Sequence, residues 1–138
     1  MLDINIKTIP DGSQRYNTVG DYWKENGQEN FRISDMHNWK YEILVGLHEL
    51  VEESLCRTRG ISEEAITAFD EQYEKRRKYG VLDEPGNDPS APYHKEHLFA
   101  TKIEKLVANE LGVNWEEYND AIVHLDDKNR TKTDNEKN

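Results

Sequence analysis

DYWKE and QENFRIS, Asp21 to Glu25 and Gln28 to Ser34, flank the dipeptide Asn26-Gly27, and this stretch decides the fold. Asn-Gly between two β-prone runs is the strongest short hairpin signal in a sequence. The register this turn imposes sets Tyr22 opposite Phe31, Lys24 opposite Glu29 and Asp21 opposite Arg32. Aromatic and opposite-charge cross-strand pairs both favour it. A hairpin here argues against an all-helical chain. Upstream, Leu2, Ile4 and Ile6 alternate with polar residues as far as Pro10, which predicts a first strand. The expectation is an N-terminal antiparallel three-stranded sheet.

Helical periodicity takes over after the sheet. In WKYEILVGLHELVEESLCRTRG, Trp39 to Gly60, an apolar arc holds Ile43, Leu44, Leu47, Leu50, Val51 and Leu55. His48, Glu52 and Arg59 lie along one edge of that arc, and Glu49, Glu53 and Arg57 form a second polar stripe. This helix spans about Asn38 to Arg59 and stops at Gly60. A second opens at the N-cap Ser62, with Ala65, Ile66, Phe69 and Tyr73 as a narrow stripe. A third runs from His94 to Leu111 with Phe99, Ile103, Leu106 and Val107 facing the core. Asn114 to Glu117 resembles a capping box that opens a short last helix, packed through Trp115, Tyr118, Ile122 and Leu125. The fold class is therefore α+β, the sheet followed by two long and two shorter helices. Residues 1–125 form one domain, and the polar tail 126–138 is expected to be disordered.

Composition narrows the function. Of 138 residues, 35% are hydrophobic and 33% charged, a thin supply for one core, so a homodimer or higher homo-oligomer is the default. The net charge of −10 repels nucleic acid polymers. Small anions can still bind where arginines cluster, at Arg57 to Arg59 or Lys75 to Lys78. The lone Cys56 excludes an internal disulfide framework or a Cys-rich zinc site. With no signal peptide, long apolar run or lipidation motif, a cytoplasmic protein without membrane contact is expected.

HELVE, His48 to Glu52, matches the zinc helix HExxH except at its second histidine, where Glu52 stands. A carboxylate can ligate zinc, and His94 or His97 in PYHKEH could complete a set. The plainer reading, a helix-edge His48 paired to Glu52, outweighs it, and the sequence alone assigns no metal or cofactor. Glu49, Glu52 and Glu53 also resemble the acidic clusters of metal-dependent nucleotide pyrophosphohydrolases, but a solvated face with Glu53 paired to Arg57 explains them more simply. No P-loop, nucleophile elbow or dinucleotide fingerprint is present. What remains is recognition chemistry. Arg57 and Arg59 offer forked donors for phosphate, and Trp23, Tyr79 and Tyr93 are among the candidates to stack on a base. His94 and His97 sit at a helix start, where phosphate oxygens bind. The proline-rich segment 79–94 is long enough to be a functional loop.

Three segments carry a family resemblance: NIKTIPDGSQRYNTVGDYW, SDMHNWKYEILVGLHELVEESLCRTRGISEEAITAFD and DEPGNDPSAPYHKEHLFATKIEKLVANELGVNWEEYN. Together they resemble the phage-encoded Thoeris anti-defence proteins over about residues 4 to 120. The resemblance implies a small oligomeric α/β protein, not an enzyme, acting in the host bacterial cytoplasm. Such proteins sequester cyclic ADP-ribose isomers without degrading them, and some hold cyclic oligonucleotides at a separate site. On that reading Arg57 and Arg59 hold phosphate, His94 and His97 meet a phosphate oxygen, Trp23 and Tyr93 stack on the ligand or line its pocket, and Asn87 and Asp88 meet ribose hydroxyls. The alternative is a metal-dependent nucleotide pyrophosphohydrolase using Glu49, Glu52 and Glu53.

Overall fold

A computed structural model describes the backbone of residues 1–77 and 83–136, with side chains described as far as 125. Tyr79, a stacking candidate, lies outside the described residues. Strands β1 (Ile4–Ile9), β2 (Gly20–Glu25) and β3 (Gln28–Ser34) form one sheet in the order β1-β3-β2. The hairpin has the expected register, Tyr22 against Phe31, Lys24 against Glu29 and Asp21 against Arg32. Asn26 and Gly27 carry the positive φ values, 53° and 77°, that the turn requires.

The sheet is mixed rather than antiparallel throughout, because β1 pairs parallel to β3, Ile6 against Phe31 and Ile9 against Ser34. The cause is the link between β1 and β2. It passes over the end of β3, so β2 starts on the far side and runs back, and β3 returns alongside β1. Side chains fix that crossing. The Gln14 amide donates to the carbonyls of Val19 and Arg32 and to Ser34 Oγ, while the Ser34 hydroxyl donates to Asp11 at 2.6 Å.

Four helices follow: α1 (Trp39–Thr58), α2 (Glu63–Arg76), α3 (His94–Glu110) and α4 (Trp115–Glu136). The capping residues act as the sequence predicts. Asn38 accepts from the amides of Lys40 and Tyr41, Ser62 Oγ from that of Ala65, and Asn114 from that of Glu117, each worth about 1 kcal/mol. Gly60 and Gly112 end α1 and α3 with φ near +70°. The last helix is longer than expected, its backbone continuing to Glu136. Residues 126–136, expected to belong to a disordered tail, are thus helical in backbone. Among the described residues no helix is long and apolar enough to cross a membrane.

The buried helix faces differ from the apolar ones. On α1 the buried residues are Leu44, Val45, Gly46, His48, Glu52 and Cys56, while Ile43 is 51% exposed. On α3 they are Glu96, His97, Ala100, Glu104 and Ala108, while Phe99 and Leu106, expected in the core, are 48% and 61% exposed. Apolar packing is instead divided into two clusters. One joins Val19, Ile33, Leu44, Val45, Ala108, Tyr118 and Ile122; the other joins Cys56, Ile66, Ala91 and Tyr93. Ionisable residues fill the space between the two.

Candidate metal centre

Helices α1 and α3 pack against each other and present two histidines and two glutamates at one level. His48 and Glu52, one turn apart on α1, share a face. His97 and Glu104, two turns apart on α3, share another. His48 Nε2 lies 3.0 Å from Glu52 Oε2 and 3.2 Å from His97 Nδ1, and His97 Nδ1 lies 3.0 Å from the same Glu52 oxygen. Three ligand atoms of the right kind therefore converge on one point, and all three residues are buried. Zinc bonds of about 2.0–2.1 Å at tetrahedral angles place donors about 3.3 Å apart, so this triangle opens to a first-row divalent ion with shifts of a few tenths of an ångström.

Each imidazole is also held from behind. Glu104 Oε1 is 2.8 Å from His48 Nδ1, and Tyr118 donates its hydroxyl to the other Glu104 oxygen. Glu84 Oε2 lies 3.0 Å from His97 Nε2, an ion-pair distance off the line of an aligned N–H bond. Tyr22 donates to Glu52 Oε1 at 3.2 Å. Carboxylates on the outer nitrogens fix the tautomer and orientation of metal-binding histidines.

The same neighbours set the protonation of the cluster. Burial works to lower the His48 pKa, but its bonds to Glu104 and Glu52 hold it well above the ordinary value. Burial likewise opposes the charged form of His97, and Glu52 and Glu84 raise its pKa to about 9. Burial opposes the Glu52 carboxylate as well, but the two imidazoles bring it down to about 2. A divalent cation at the donor triangle would replace protons on the facing ring nitrogens, so metal binding and protonation of the row Glu104–His48–Glu52–His97–Glu84 compete.

The centre opens on a cavity of about 110 Å³. Its walls are unusually acidic. Asp21, Glu49, Glu63, Asp70, Glu74 and Glu84 join the cluster's glutamates, and Arg77 is the one arginine or lysine among the described lining residues. Glu49 stands beside the centre, its pKa pushed well up by burial and then by the charge of Glu52. Gly20 makes room for it: a Cβ at that position would lie 2.7 Å from Glu49 Oε1. Gly86 performs the same service for His97, where a Cβ would stand 2.4 Å from the ring. The segment Pro85–Asn87, a 3-10 turn, is thereby laid directly on the histidine.

Comparison with protein-family models, curated proteins and solved structures returns no match. The geometry alone therefore carries the assignment.

Among the residues expected to bind ligand, His97 and Tyr93 line the cavity, and Tyr93 donates its hydroxyl to Asp70. The others are placed elsewhere. Arg57 is paired with Glu29 and Glu53, and Arg59 with Glu96 at 3.2 Å, so both guanidiniums are engaged by carboxylates. Trp23 lies on the open sheet face beneath Arg15 and Arg32, 4.3 and 5.3 Å from their guanidinium carbons. Asn87 bonds Asp83, Asp88 accepts from Ser90, and His94 bonds the Gly86 carbonyl. Of the acidic trio, Glu49 and Glu52 face the cavity and Glu53 does not. Glu84, Glu104 and Tyr118 were missed by the sequence reading. The seven-residue spacing of His97 and Glu104, which repeats one helix face, is the signal that could have found Glu104.

Proposed function

We propose that this protein is a divalent-metal-dependent hydrolase of a small molecule, with His48, Glu52 and His97 as the metal ligands. One observation carries the reading: three donor atoms of two imidazoles and a carboxylate lie within 3.2 Å of one another, each imidazole backed by a second carboxylate. Nitrogen and oxygen donors in this ratio suit zinc, iron(II), cobalt(II) or manganese(II). A metal held by three protein donors keeps a position for water and lowers that water's pKa toward neutrality. The remaining chemistry belongs to the chain. Glu49, next in sequence to a ligand and facing the cavity, is placed to take the proton of an attacking water. Glu104 and Glu84 hold the imidazoles in position, and Tyr22 orients Glu52. HELVE then works as a variant of the zinc helix in which Glu52 takes the second ligand position and His97 of α3 supplies the third.

Sequestration of a cyclic ADP-ribose-type signal, the reading implied by the resemblance, retains one supporting observation. Tyr16, Tyr22 and Tyr93 line the cavity and offer aromatic surface to a base. Against it, both arginines assigned to phosphate are paired with glutamates, and the cavity walls repel an anion unless a metal offsets them. The two readings separate in one experiment. Metal-free and zinc- or manganese-loaded protein is incubated with cyclic ADP-ribose isomers and with a panel of phosphate esters and amides, then filtered, denatured and chromatographed. Metal-dependent appearance of product supports hydrolysis. Capture of an isomer that returns intact after denaturation supports sequestration and overturns the hydrolase.

A further inference from the structure

The cavity beside the metal centre has a surplus of hydrogen-bond acceptors. Eight of its described lining residues carry carboxylates, against one arginine and two histidines. Most of the eight are engaged. Both oxygens of Asp21 accept from Arg15, both of Glu74 accept from Arg77, and three glutamates serve the histidines. Two stand apart. Asp70, on α2, is 8% exposed; its Oδ1 accepts from Tyr93, and its Oδ2 takes no hydrogen bond from any described residue. Glu49 takes none at either oxygen. A carboxylate withdrawn from water without donors is costly, so these two oxygen sets call for a partner in the cavity they line. A second metal ion does not fit that description, because the described acids and histidines close enough to share one ion are His48, Glu52 and His97 alone.

We propose that this cavity binds a primary ammonium group on Asp70, and that the substrate of the hydrolase is accordingly a small amide or ester carrying a protonated amine. The inference rests on the hydrolase reading for the reaction but not for the binding. An ammonium brings three donors, no acceptor and a positive charge, the complement of what the cavity leaves unpaired. Tyr16, Tyr22 and Tyr93 stand in the same wall, and aromatic rings stabilise alkylammonium groups that rest on them. Its volume of about 110 Å³ is well below the roughly 300–1,000 Å³ of drug-sized pockets, so it admits a compact head group. Asp70 is joined to the metal centre through Tyr93, whose ring lies 6.2 Å from that of His97. A short alkyl chain therefore connects an amine on Asp70 with a scissile bond at the donor triangle. Burial raises the Asp70 pKa to about 7 against the bond from Tyr93, and a bound ammonium would bring it back down and release the proton. Glu49 stays available to the attacking water.

The test is calorimetric titration of the full chain at pH 8, metal-free and zinc-loaded, with n-butylammonium and its neutral counterpart 1-butanol. Asp70→Asn keeps the side-chain shape and removes the charge; Asp120→Asn makes the same change at an exposed position outside the cavity wall. The wild type and Asp120→Asn should bind n-butylammonium roughly 10-fold or more tightly than 1-butanol, and Asp70→Asn should lose that preference with unchanged far-UV circular dichroism. The zinc-loaded protein is then given the p-nitroanilides of 4-aminobutanoate and pentanoate, which differ only in a terminal ammonium or methyl group. Water splits the C–N bond, its oxygen going to the acyl carbon and a proton to the departing p-nitroaniline. A kcat/KM roughly 10-fold or more higher for the cationic anilide is expected. Absent or equal binding of the two probes, or ammonium binding unchanged in Asp70→Asn, overturns the ammonium site. Metal-dependent cleavage of both anilides at equal rates overturns the substrate assignment and leaves the hydrolase standing. Ammonium binding lost in Asp70→Asn, with neither anilide cleaved, upholds the site and counts against the hydrolase alone.

Discussion

Replacing Gly86 by alanine adds one methyl group at the point where the 3-10 turn rests on His97. The new carbon would stand 2.4 Å from His97 Cγ, 2.5 Å from Nδ1 and 2.9 Å from Cβ. Ordinary carbon contacts begin near 3.4 Å, so turn and ring must separate by about 1 Å. The ring has little freedom of its own, since its Nδ1 faces Glu52 and its edge meets Tyr93. If the ring moves, Nδ1 leaves the donor triangle; if the turn moves, Glu84 leaves the ring's outer nitrogen. Either way the metal site loses a precisely placed group, and the expected cost is 10- to 100-fold in metal affinity, about 1.4–2.7 kcal/mol. Overpacking adds about 1–3 kcal/mol of lost stability in the metal-free protein. Chelator-competition titration with cobalt or zinc reads the first quantity and urea unfolding with metal removed reads the second. Gly12→Ala is the control, because nothing lies within 4 Å of a Cβ there. Metal affinity in Gly86→Ala equal to that of the control would refute the reasoning, because His97 could then not be the ligand that the turn positions.

Three further outcomes follow from the same contacts. Burial raises the Asp70 pKa to about 7 against the opposing bond from Tyr93, so the folded state binds the proton more tightly than the unfolded chain, whose value is near 3.8. Its contribution is present in full below pH 4 and is lost as pH rises through 7, by at most roughly 4 kcal/mol. Asp70→Asn should therefore match the wild type in urea unfolding at pH 4 and exceed it at pH 8; identical pH slopes would show that Asp70 is not the cause. Tyr118→Phe removes the donor to Glu104 and should cost about 1–2 kcal/mol of stability together with a several-fold weaker metal site; an unchanged metal affinity would detach Glu104 from the centre. Arg59→Ala leaves the buried Glu96 without its ion pair, so stability should fall by about 1–2 kcal/mol while metal binding stays at the wild-type level, and a loss of metal would return Arg59 to the site.

How much of this was legible follows from where each determinant resides. The hairpin was readable because Asn26-Gly27 and its cross-strand pairs are local, and the helix ends because Asn38, Ser62, Gly60 and Gly112 act within one turn. The direction of β1 was not readable, since it depends on a ten-residue link crossing β3 and on the bonds Gln14 makes far along the chain. The helix faces misled for a physical reason. Periodicity assigns apolar residues to the interior, and here the inward faces of α1 and α3 seat His48, Glu52, His97 and Glu104 beside Leu44, Val45, Ala100 and Ala108, leaving Phe99 and Leu106 outside. HELVE pointed to two of the ligands and PYHKEH offered His94 or His97 as the third; only the packing of α1 on α3 selects His97, 45 residues beyond Glu52. Arg57 and Arg59 illustrate the opposite error: a cationic run reads as an anion site until Glu29, Glu53 and Glu96 are found beside it.

Calorimetric titration of chelator-treated protein with zinc, alongside His97→Ala and Glu52→Gln, shows whether His48, Glu52 and His97 hold a metal. The expected result is one ion per chain, bound at least 100-fold more tightly by the wild type than by either variant, with all three proteins equally folded by circular dichroism. Zinc bound equally well by the variants, or not bound by the folded wild type, would contradict it and leave the five-residue row as a proton-linked core network.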